Sequence, residues 1–140
     1  MRVKIALFAA VVGFALAAPR IIAHHSFAAE FDANKPVNLK GIVTKIEWAN
    51  PHTYFYMDVT GDDGKVINWG MEMGSPNGLM RQGWTRNTLK VGDVVTVEGS
   101  QAKDGSHVGN ARVVVLAATG KRLFAASSQD NPSQQQQQHR

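Results

Sequence analysis

Histidine is the residue type in this chain best suited to chemistry, and four of its five histidines stand where a site could use them. His24 and His25 are adjacent in "AHHSFAAEFD", His52 follows Asn50-Pro51, and His107 follows the turn sequence "KDGS". His139 sits among glutamines at the far end. Imidazole nitrogens suit late first-row metals, and a nitrogen-rich set suits Cu(II). A chain cut after Ala23 would add the α-amine of His24 to its own ring and to that of His25. A cut one residue earlier would place a histidine third, where it chelates copper through backbone amides. His24, His25, His52 and His107 are therefore the candidate metal ligands, with copper the ion such a set would take. The plainer reading stands beside it: exposed histidine pairs bind divalent ions weakly without a folded site, and His52 or His107 can simply finish a turn.

A second set is aromatic. Trp48, Tyr54, Tyr56 and Trp84 flank or occupy strand-like stretches. If Phe55 and Met57 point inward, strand alternation turns Tyr54 and Tyr56 outward together. Exposed tyrosines stack on planar ligands, although two tyrosines on one strand face are also ordinary packing. Met71 and Met73 share a face with Trp69 and read as core. Catalytic patterns are few: "GSPNG" is not a nucleophile elbow, and Glu47 and Glu72 read as solvent-facing. The expectation is binding without catalysis.

The elements that must position these residues are strands. "VNLKGIVTKIEW", "HTYFYMDV", "KVINWGMEM", "DVVTVEG" and "VGNARVVVLA" are apolar or alternating, separated by Asn-Pro, "GDDG" and "KDGS" turns. Gly41 marks a bend or bulge in the first strand. Ser75 and Pro76 suit a helix N-cap and first position, and Gly78 and Gly83 keep that helix short. Three strands, a helical crossover and two more strands predict an all-β, five-stranded OB-like barrel over residues 37–118. Its inter-strand loops would bring His52 and His107 to one rim.

The flanks read differently. Arg2 and Lys4 precede an apolar run from Ile5 to Ala18, the pattern of a secretory signal over residues 1–23. A cut after Ala17 and a retained anchor are the competing readings. Residues 24–36 read as an extended segment, and 119–140 as a low-complexity tail too polar to order itself. The chain carries 15 basic and 11 acidic residues, net +4. Arg2, Lys4 and Arg20 leave with the signal, so 12 bases then face 11 acids, a net of +1. That balance offers no footprint for a polyanion and disfavours nucleic acid. The absence of cysteine leaves an exported chain to rest on its core alone.

"AHHSFAAEFD", "GIVTKIEWANPH" and "LKVGDVVTVEG" together resemble a family of exported bacterial proteins classed as a domain of unknown function. The resemblance covers about residues 23–126 and rests on the His-His-Ser start, a Glu-Trp-x-Asn-Pro-His stretch and a Gly-Asp-x-Val-x-Val run. It implies export to the periplasm and an OB-like barrel, and supplies no activity. His24, His25, Trp48, Asn50, Pro51 and His52 fall on its motifs, ahead of His107. Trp48, Asn50, Tyr54 and Tyr56 are the candidate ligand-binding residues. The expected partner is a small ligand or a periplasmic protein, without stable membrane insertion once the signal is removed.

Overall fold

The computed structural model describes residues 27–127. The signal stretch, His24, His25 and His139 lie outside the described residues. The order is α1 (Phe27–Glu30), β1 (Phe31–Glu47), β2 (Tyr54–Thr60), β3 (Val66–Glu72), α2 (Pro76–Arg81), β4 (Val94–Ala102), β5 (Val108–Leu116) and β6 (Arg122–Phe124).

β1 is long because it serves two partners. Its first part pairs antiparallel with β4, through Leu39↔Val97 and Gly41↔Val95, and its second part with β2, through Ile46↔Phe55 and Glu47↔Tyr54. The handover falls at Gly41. A Cβ there would meet the Asp58 carbonyl oxygen at 2.5 Å, so only glycine admits so close an approach of β2. The register shift lies slightly further on, between Val43 and Lys45.

β2 alternates as its sequence requires. Phe55 and Met57 are fully buried, while Tyr54 and Tyr56 are half-buried on the other face. β3 pairs antiparallel with β2, and its Trp69 and Met71 enter the same core. The core continues through Met73, Leu79, Trp84, Val95, Val97 and Val114. Burying a large apolar side chain contributes roughly 1.5–3 kcal/mol, which in a chain without cysteine must offset the entropy of ordering. α2 begins as its sequence signals: Ser75 Oγ accepts from the Gly78 amide at 3.2 Å, and Pro76 follows at the start of the helix.

The sheet closes into a ring. β4 pairs antiparallel with β5, and β5 pairs parallel with β3 through Gly70↔Val108, Met71↔Gly109 and Glu72↔Asn110. A sixth strand, β6, adds to the outer edge of β5. It corrects the expected count of five. Three residues are too few to show a period, yet Leu123 within it and Ala125 and Ala126 just after it are buried. The sheet thus reaches from Phe31 to Phe124, wider than the 37–118 span that periodicity suggests. Among the described residues, no helix is long and apolar enough to cross a membrane.

Candidate binding cleft

The outer face of β2 and β3 carries a connected polar row. Tyr54 lies opposite Glu72, and Tyr56 opposite Gly70. The missing side chain at Gly70 makes room for a ring: a Cβ there would meet Tyr56 Cε1 at 3.2 Å. From β1, Lys45 Nζ lies 5.2 Å from the Tyr56 ring centroid, a cation–π distance. Lys45 also pairs with Glu47, whose Oε2 accepts from the Tyr56 hydroxyl at 3.3 Å.

The next cross-strand pair is more deeply set. Glu72 is only 6% exposed, which overturns its reading as solvent-facing. Sequence alternation does place it outward. What encloses it is the parallel closure with β5 and the packing of α1 nearby, neither of which periodicity can reveal. The Tyr54 hydroxyl donates to Glu72 Oε2. Burial, then the hydrogen bond to Glu72 and its negative charge, push the Tyr54 phenol above its usual range, with Glu30 and Tyr56 adding to the effect. Tyr54 therefore stays protonated and acts as a donor.

His52 stands at the end of this row. Its Nδ1 is 3.2 Å from the Met73 carbonyl oxygen and 3.5 Å from Glu72 Oε1. The backbone around it is fixed, since the Thr53 and Met73 amides donate across the strands to Gly74 and Thr53.

Tyr54 and Glu72 open onto a cleft of about 360 Å³ whose other linings include Glu30, Phe31, Lys103 and Val108. One wall is α1 with the start of β1, and another is the turn between β4 and β5. These walls are tied together: the Lys103 amide donates to the Glu30 carbonyl at 2.9 Å, and its ammonium to the Ala28 carbonyl. Phe27 stacks against Phe31 with centroids 5.7 Å apart, holding α1 on the barrel. On the turn, hydrogen bonds from Ser106 hold the Asp104 carboxyl below its usual range, with help from the Lys35 charge. Glu30, Glu72 and Asp104 outnumber Lys103, so the cleft is acidic.

The other candidates fall apart from this arrangement. His107 packs edge-on against Trp69 at 5.2 Å, and its carbonyl accepts from the Gly70 amide. It is thus attached to β3 near Trp69 and Gly70, whereas His52 is attached near Glu72 and Met73. Trp48 is half-buried against the core, and Asn50, joined to Pro51 by a cis peptide, is exposed. Neither lines the cleft. Among the described residues, no group of three or more histidine or acidic side chains is placed to hold a metal ion. Sequence reasoning missed Glu72, Phe31 and Val108. The signal available for Glu72 was its position opposite Tyr54 in the hairpin set by "GDDG".

A closed β-ring with one acidic, tyrosine-floored cleft on its outer face defines a small all-β protein with a candidate ligand site. The chain belongs to a family of unknown function, DUF6152, whose model matches residues 11–111. No match was found among curated proteins.

Proposed function

We propose that this protein is exported to the periplasm and serves there as a small binding module of OB type, taking its ligand in the cleft floored by Tyr54 and Glu72. The amino-terminal pattern of two basic residues before a short apolar run supports export. The ring order β1-β2-β3-β5-β4, with α2 between β3 and β4, supports the OB assignment, β6 being an addition to it. Such barrels bind on the β2–β3 face and its adjoining loops.

One observation carries the reading: a buried carboxylate and its tyrosine donor sit on the outside of the barrel, where they open to a cleft and not to the core. A protein gains little stability from a buried ionic group there, since an apolar pair of similar volume would serve as well. The mature charge balance and the acidic lining favour a small ligand over a polyanion.

Amide shift mapping by NMR against a library of small polar fragments tests the site. Binding is expected to move the amides of Tyr54, Glu72, Ser106 and Val108 together. Shifts confined to other surfaces would reject the cleft. Fractionation with intact-mass measurement tests export: cytoplasmic protein that keeps Met1 would reject it.

A further inference from the structure

The geometry points to a masked modification site at Asn77: intramolecular deamidation by the Gly78 nitrogen, held off by the Ser75 cap of α2.

The chemistry belongs to the pair. Asn77 is the one asparagine of this chain that a glycine follows. Asparagine is a thermolabile residue, and a glycine after it brings no Cβ to crowd the approach of its own nitrogen. The ionised Gly78 nitrogen attacks Asn77 Cγ, so an N–Cγ bond forms and the Cγ–Nδ2 bond breaks. The amide proton passes to solvent, and the side-chain nitrogen takes up a proton and leaves as ammonia. Water then opens the five-membered imide at either carbonyl, giving aspartate or isoaspartate. The balance is one water consumed and one ammonia released.

The fold leaves the electrophile open and covers the nucleophile. Asn77 is exposed, whereas Gly78 is buried. The Gly78 amide donates to Ser75 Oγ at 3.2 Å, and the Leu79 amide to the Ser75 carbonyl oxygen at 2.9 Å. A Cβ at position 78 would stand 3.1 Å from that Oγ, so the glycine that favours ring closure also lets the cap sit close. Ionising a buried, hydrogen-bonded amide is costly. Ring closure also requires Asn77 to leave its helical ψ. Both obstacles vanish when the first turn of α2 opens, a local event that leaves the barrel folded. With six residues, α2 depends on its cap to stay closed. Isoaspartate would add a methylene to the main chain between residues 77 and 78. That displaces Gly78 from Ser75 and pulls on Leu79, which is fully buried in the core.

Incubation of the full chain in mildly alkaline buffer tests this, with peptide mapping by mass spectrometry following the amide-to-acid exchange at residue 77. Wild type unfolded in urea should convert at least about tenfold faster than native wild type. Native Ser75→Ala should convert about fivefold faster than native wild type, the effect of losing a cap on a local opening. Ser75→Thr keeps the accepting oxygen and should stay within about twofold of wild type. Gly41→Ala is the control, because it weakens the barrel at β1 and leaves the cap intact; its native rate should match wild type. An unfolded chain that keeps Asn77 would overturn the reactive pair. Native wild type converting as fast as the unfolded chain would overturn the masking. Equal acceleration in Gly41→Ala and Ser75→Ala would place the reaction in the globally unfolded state and overturn the role of Ser75.

Discussion

Tyr54 holds its proton more tightly in the fold than in the open chain, and this sets a direction for stability. Its folded value lies above the ordinary 10.0, so the stabilisation is fully present below pH 10 and is lost as pH rises through the folded value. Above pH 10 the unfolded chain releases this proton while the native state retains it. Urea unfolding should therefore show wild-type stability falling with pH in that range, with a shallower fall in Tyr54→Phe. At neutral pH the same variant should lose about 2 kcal/mol, the cost of leaving the buried Glu72 oxygen without its donor. Equal slopes in both proteins would detach the phenol from Glu72. The outward pointing of Tyr54 was legible from Phe55 and Met57 on either side. The enclosure of its partner was not, because Glu72 gains its cover from β5, 36 or more residues further along the chain.

β1 shows how a strand of 17 residues becomes two sides of a ring. The sequence exposes the device at Gly41, where alternation falters. The cause of that glycine is spatial, namely the Asp58 carbonyl 2.5 Å from where a Cβ would stand. Backbone cannot move aside as a side chain tip can. Gly41→Ala should cost about 1–3 kcal/mol in urea unfolding. Gly61→Ala is the comparison, since its nearest neighbour at 3.0 Å is the flexible Asp63 carboxylate, and it should cost less. A milder loss at Gly41 than at Gly61 would mean that β1 does not need this approach to turn from β4 to β2. α2 was legible for a different reason: Ser75 and Pro76 act locally, through a cap that depends on residues three apart. Ser75→Ala should lower stability by about 1 kcal/mol, read from the same unfolding curves.

At the scale of the whole molecule, closure depends on contacts that join distant parts of the chain. Strand alternation carried the reading of the first five strands. The sixth was hidden in "RLFAA", whose brevity and polar surroundings resemble the tail that follows. Its worth lies in what it ties down. The Phe124 carbonyl accepts from Trp84 Nε1 at 2.8 Å, the Ala125 carbonyl accepts from the Gly74 amide at 2.8 Å, and Leu123 is 6% exposed beside Val114. Those bonds hold the end of β3 and the segment after α2, and so the turn that carries Met73 behind His52. Leu123→Ala should cost about 3 kcal/mol through the cavity it leaves. Ending the chain after Gly120 removes Leu123 and both carbonyl acceptors together, and should cost more than the single substitution. Trp84 is buried to 2% exposure, so its fluorescence reports the outcome: a red-shifted spectrum without denaturant is expected from the shortened chain. A blue, wild-type spectrum with unchanged urea midpoint would make β6 an ornament on a ring that the other five strands close alone.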